Sequence, residues 1–261
     1  MFKIFRKMRQ KYLHDKKISK YLLYASGEII LVVIGILIAL QINTKNDQRL
    51  ARAQEIHYLK NIKSDLKGNI AELEHYIKKR NESIQAANLM IEYFNGKKIE
   101  DYDAFNALPM PIYNWQKFYQ NNKTFQELVS SGNLSLITND KIKYRLLDIE
   151  GVYKKLQYDE EHYRFDSEET FYKPIYSTMD MEPMLLNYTY RVSNGKLGKL
   201  KTLTQQYFEP LLKNIEIKNG FMLTAFMFDA INKHMVKMKL MSEELIVIID
   251  QEIYSYHSSD T

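Results

Sequence analysis

Residues 21–42 read YLLYASGEIILVVIGILIALQI, and the reading of everything downstream depends on this stretch. Residues 29–40 form an unbroken apolar run, and all twenty-two residues contain one formal charge, Glu28. At about 1.5 Å per residue such a helix reaches roughly 33 Å, enough to cross a hydrocarbon core of about 30 Å. The flanks set its orientation. Residues 1–20 hold eight Lys or Arg against Asp15 alone, whereas residues 43–62 hold four against Asp47 and Glu55. The positive-inside rule predicts a single-pass signal-anchor in the cytoplasmic (inner) membrane. It makes residues 1–20 a basic cytoplasmic tail lying on the inner leaflet, 21–42 the transmembrane helix and 43–261 an extracytoplasmic domain. A cleaved signal peptide shares the basic flank and apolar core, but the following LQINTKND (40–47) offers no small-x-small cleavage site. With no cysteine in the chain, lipoprotein processing is excluded.

Within the anchor, Tyr24, Glu28, Val32, Gly35 and Ala39 fall within about 40° of one line on a helical wheel, with Tyr21 and Ile42 extending it. A carboxyl inside lipid costs about 2.5–3.5 kcal/mol unless it is neutral or has a partner, and small residues four apart let helices approach closely. This stripe predicts a helix–helix interface, with a second copy or with another membrane protein. The plainer alternative is that Glu28 lies near the cytoplasmic end and reaches interfacial water.

The net charge of +5 is misleading as an average. The first twenty residues carry +7, which leaves the other 241 at −2. A basic tail beside a membrane helix suits anionic headgroups, and the exported part is no nucleic-acid binder on charge grounds. Zero cysteines leave the exported fold to be held by its own core rather than by disulfides. Only 9 Gly and 5 Pro, with 20 Tyr and 12 Phe, disfavour disorder and turn-rich β architecture.

From 43 to 94 the positions Leu59, Ile62, Leu66, Ile70, Leu73, Ile77, Arg80, Ile84, Ala87, Ile91 and Phe94 alternate steps of three and four. That is a coiled-coil-like seam with Arg80 as its polar interruption. It predicts a long helix ended by Asn95-Gly96; if straight, 52 residues would reach about 78 Å. Residues 97–123 hold a short helix near 101–107 and then an aromatic connection. There Tyr113, Trp115, Phe118 and Tyr119 form either a partner surface or the cover of a bundle end. Thr124 with Glu127 fits a capping box, Gly132 closes that helix, and residues 134–137 read as extended. Asn139 or Asp140 caps a second long helix to about Tyr172, with Ile142, Leu146, Ile149, Val152 or Tyr153, Leu156 and Tyr163 inward and Pro174 ending or kinking it. Residues 177–200 read as a surface excursion with a small strand pair, followed by a short helix interrupted at Pro210. Gly220 opens a last long helix to about Tyr254, with a seam of Met227, Ile231, His234, Met238, Met241, Leu245 and Ile248.

Two blocks, KYLLYASGEIILVVIGILIALQIN (20–43) and TFQELVSSGNLSLITND (124–140), resemble the hallmarks of an uncharacterised bacterial family of single-pass membrane proteins with a domain of unknown function. Members of that family often carry Trp-Asn-Glu just after the anchor, where this chain has Thr44-Lys45-Asn46. The resemblance implies membrane location and a helical exported domain. It implies no activity.

Candidate chemistry is sparse. Glu72–His75 and Asp159–His162 have the acid-x-x-His spacing of di-metal helical bundles. However, His75 falls opposite the Ile70–Leu73–Ile77 face, and the run Asp159, Glu160, Glu161 reads as a solvated face. His234 sits on the last seam as a core or boundary residue, and Ser130-Ser131-Gly132 reads as a helix end without a paired base. No catalytic, cofactor or metal residues are therefore assigned. The expectation is an all-α chain: a transmembrane helix followed by an elongated antiparallel bundle with long helices at 43–94, 139–173 and 220–254. In function it reads as a non-enzymatic accessory or scaffold subunit working through helix–helix contacts in the bilayer. The alternative is a ligand-sensing bundle that signals through a partner, since a twenty-residue tail is no output domain.

Overall fold

The computed structural model describes residues 18–259, so the amphipathic tail predicted at 1–20 falls almost wholly outside the described residues. Among the described residues the regular elements are all helical, in agreement with the pattern. They are α1 (Ile18–Phe94), α2 (Tyr102–Ala107), α3 (Met110–Tyr113), α4 (Lys123–Ser130), α5 (Asp140–Ser167), α6 (Lys173–Thr178), α7 (Met181–Val192), α8 (Gln205–Lys213) and α9 (Ile215–Ser259). The chain divides into two compact units, Met1–His57 and Tyr58–Thr261, and the division falls inside α1.

In the first unit α1 presents apolar side chains without burying them. Every residue from 26 to 51 is exposed, and the most apolar eighteen-residue window, of mean hydropathy 2.4, is 0% buried. A core helix of a water-soluble fold would bury such a face, because each apolar Å² left in water forfeits roughly 25 cal/mol. The helix is long and apolar enough to cross a membrane.

The second unit is built on the predicted seams. On α1, Leu59, Ile62, Leu66, Leu73 and Ala87 are buried, as is the polar interruption Arg80. The helix ends where expected: Gly96 takes φ +101°, and the Lys97 amide donates to the Glu92 carbonyl at 3.1 Å. α5 starts on Asn139, whose side chain accepts from the Lys141 amide, and buries Ile142, Leu146, Ile149, Val152, Tyr153, Leu156 and Tyr163. α9 buries Phe221, Phe228, Ile231, Met235, Met238, Leu245 and Ile249. The predicted seam is therefore one residue out at Met227, His234 and Ile248, which are half-buried. A three-four alternation leaves two adjacent positions near each step, and here the larger Phe228 and the apolar Met235 take the inside.

Several local expectations are overturned. Thr124 and Glu127 form no capping box. The Thr124 amide (3.3 Å) and hydroxyl (2.7 Å) both donate to the Asp65 carboxylate, while Glu127 accepts from the Tyr58 hydroxyl at 3.0 Å. A tertiary partner thus satisfies one orphan backbone donor of α4, the Thr124 amide. Of the predicted extended link 134–137 only Ile137 is extended; Asn133–Leu136 is one 3₁₀ turn entered through Gly132 at φ +73°. Residues 177–200 hold α7 in place of a strand pair, capped by Asp180 accepting from the Glu182 amide at 3.0 Å. Pro210 lies inside α8 without interrupting it.

The last long helix does not open at Gly220. It opens at Ile215, with the Asn214 side chain accepting from the Glu216 and Ile217 amides at 2.9 and 3.2 Å. Gly220 instead marks a close approach. The chain after α5 passes through one wide π-type turn, Glu168–Tyr172, and stays helical through Pro174 at the start of α6. Pro174 has no N–H to offer the carbonyl of Thr170, four residues back. A Cβ on Gly220 would sit 2.8 Å from that carbonyl oxygen and 2.8 Å from Cδ2 of Phe171.

Candidate functional site

In sequence, Arg80 interrupts one seam and Glu160 belongs to an acidic run that reads as a solvated face. The structure corrects the second: the Glu160 side chain is 1% exposed, and it pairs with Arg80, itself 3% exposed. Leu156 and Tyr163 are buried on α5, and position 160 lies between them on the same face at helical spacing, so the middle carboxylate of the run must point inward. Arg80 Nη2 donates to Glu160 Oε1 and to the Gln116 carbonyl at 3.3 Å. The Phe118 amide adds a donor to the same Oε1 at 3.2 Å. Aromatic rings enclose the cation, with its Cζ 5.1 Å from the Phe228 ring centre and 6.0 Å from that of Trp115. Satisfaction is incomplete: Arg80 Nε and Nη1 and Glu160 Oε2 have no hydrogen-bond partner among the described residues.

Two neighbouring carboxyls are driven apart by their surroundings. Burial pushes Glu160 up to about 6 although Arg80 pulls the other way. On the exposed side, hydrogen bonds from Arg164 and Lys117 hold Glu161 down at about 2. The sign of the Glu160 effect on stability follows from linkage. A carboxyl whose folded pKa exceeds its unfolded value favours the folded state fully below the unfolded value and loses that contribution as pH rises through the folded one. Comparing wild type with Glu160→Gln, the wild type is therefore expected to gain about 2 kcal/mol relative to the variant as pH falls from 7.5 to 4.5. Urea titrations at a series of pH values measure this difference, and a constant gap contradicts it.

Beside this pair lies a cavity of about 540 Å³ walled by Tyr76, Arg80, Ser83, Met110, Trp115, Tyr188 and Phe228. A second cavity of about 350 Å³ shares Met110, Asn114 and Tyr188 with it and is also lined by Tyr113. The four aromatic residues singled out from the sequence thus have separate places. Tyr113 and Trp115 line the cavities. Phe118 is 1% exposed, edge-on to Tyr76 and Tyr153, so it belongs to the core and not to an open surface. Tyr119 alone is fully outside, at 70%. Trp115 also rests on Tyr163, whose hydroxyl shares a 3.1 Å hydrogen bond with Thr224.

The acid-x-x-His pairs do not converge. Glu72 and His75 are exposed on α1. Asp159 faces His234 at 3.2 Å, whereas His162 pairs with Asp166 at 3.1 Å. Among the described residues no group of three or more His, Asp or Glu is placed to hold a metal ion. Ser130 and Ser131 donate to the Glu127 carbonyl, which is the work of a helix end. In the first unit, Tyr24, Glu28, Val32, Gly35 and Ala39 share one face of an uninterrupted helix. A Cβ at Gly35 would meet nothing within 4 Å, so this chain's own packing makes no use of its small size.

The sequence model of DUF6090, a family of unknown function, matches residues 28–173, and the chain belongs to that family. The match spans the apolar helix from Glu28, the Arg80 seam, the aromatic connection, α5 and the π-type turn, ending at Lys173, the first residue of α6. No curated protein and no solved structure matches the chain.

Proposed function

We propose that this DUF6090 protein is a non-enzymatic accessory subunit of the inner membrane. In this reading residues 21–42 span the bilayer, the N-terminus is cytoplasmic, and residues 43–261 are extracytoplasmic. The subunit works through helix–helix contacts of its anchor with a second copy or with another membrane protein. The supporting observation is the exposed apolar stretch of α1 at 26–42, where Glu28 is the one formal charge and lies in line with Gly35 and Ala39. A carboxyl in lipid requires a partner or a proton, and a glycine with open space around it admits a second helix.

Glu28→Leu and Gly35→Leu in the full chain are each expected to disperse a defined membrane complex, while the melting transition of the second unit stays within about 1 kcal/mol of wild type. Intact complexes in both variants would overturn the reading. A second reading, a ligand-sensing bundle that signals through a partner, is favoured by one separate observation. The cavity beside Arg80 has a size ordinary for small-molecule sites, and Arg80 on its wall carries unpaired buried donors.

A further inference from the structure

We infer that the cavity beside Arg80 is a binding site for a small organic carboxylate with a flat, apolar body. Its volume, about 540 Å³, falls within the range of roughly 300–1,000 Å³ typical of such sites. Tyr76, Trp115, Tyr188 and Phe228 supply aromatic walls, which favour a planar apolar group. The polar feature is Arg80. Its Nη2 is committed to Glu160 and Gln116, but Nε and Nη1 carry three N–H donors with no partner among the described residues. A buried donor without an acceptor is costly, so a ligand oxygen that reaches Nε or Nη1 by displacing a lining side chain recovers an interaction that the protein leaves unmade. Guanidinium N–H groups bind carboxylate oxygens with charge assistance.

Charge narrows the class further. Arg80 and Lys79 line the cavity, and no Asp or Glu does. A cationic ligand would bring further donors to a wall whose open groups, Arg80 Nε and Nη1, are already donors. A single carboxylate offers two acceptor oxygens to the three open Arg80 N–H donors, whereas a multiply charged anion would add charge that Lys79, engaged with Glu82 at 3.3 Å, does not offset. One carboxylate on an apolar frame fits. This deepens the ligand-sensing reading, although occupancy of the site stands apart from any signalling.

The chain carries its own reporter, since Trp115 is the single tryptophan and lies on the cavity wall. The experiment titrates phenylacetate into the full chain in mild detergent and follows tryptophan emission, with phenylacetamide as the uncharged match. A saturable change is expected below about 10 mM, with the amide at least about tenfold weaker. Ala107→Phe, which places bulk on a lining residue without touching Arg80, and the Arg80→Met/Glu160→Met double variant should both abolish the change while keeping the wild-type helical signal. No saturable response, or an equal response in Ala107→Phe, overturns the site. Equal binding of acid and amide overturns the role of the guanidinium. Phenylacetate binding that leaves membrane complexes unaltered preserves the site and counts against sensing.

Discussion

Glu160→Leu is expected to cost the fold about 3–5 kcal/mol, the largest effect of any single substitution considered. The reason is the charge left behind. Arg80 is 3% exposed, and its guanidinium keeps its charge near neutral pH, so without Glu160 it retains one carbonyl acceptor, on Gln116, and two aromatic faces. Arg80→Leu should cost less, because Glu160, already pushed up to about 6 by burial, can shed its charge by taking a proton. Removing both charges in Arg80→Met/Glu160→Met should restore stability to within about 1 kcal/mol of wild type or exceed it, because a buried pair pays a desolvation cost that apolar packing avoids. Urea unfolding of the full chain in detergent, followed by Trp115 emission, gives all three values. A Glu160→Leu change below about 1 kcal/mol would mean that the pair is hydrated.

The second large effect is a pair of identical substitutions with opposite signs. Gly220→Ala puts a methyl 2.8 Å from the Thr170 carbonyl oxygen and from Phe171 Cδ2, and Phe171 is pinned edge-on against Phe221 at 4.6 Å. Neither backbone oxygen nor packed ring can yield cheaply, so a loss of about 1–3 kcal/mol is expected, and more for Gly220→Val. Gly151→Ala, in the exposed middle of α5 with nothing within 4 Å of the new carbon, should gain about 0.5–1 kcal/mol from helix propensity. Equal effects at the two sites would remove the close approach of α9 to the π-type turn.

The long elements were legible because their apolar residues repeat at helical spacing over many turns, and because Gly96 and Asn139 give clear end signals. What was missed has specific causes. α7 is twelve residues long with Pro183 in its first turn, too short and too mixed for a period to emerge. The Thr124-to-Glu127 spacing suggested a local cap, but Asp65, fifty-nine residues away, took that role. Glu160 was readable in principle: stepping four from Leu156 and back three from Tyr163 both land on it. The run of three acidic residues masked that register, although position 160 falls on the same helical line as Leu156 and Tyr163. The cavity was not legible at all. Its walls come from α1, α2, α3 and the connection after it, α7 and α9, and only their assembly leaves three Arg80 donors without acceptors.

The most direct test is the mass and composition of the protein extracted from a membrane fraction in mild detergent. The expected result is an assembly of fixed stoichiometry, containing a second copy or a second membrane protein, that falls apart in Glu28→Leu. A wild-type protein that emerges as a lone monomer, with the same mass as the Glu28→Leu variant, would contradict it.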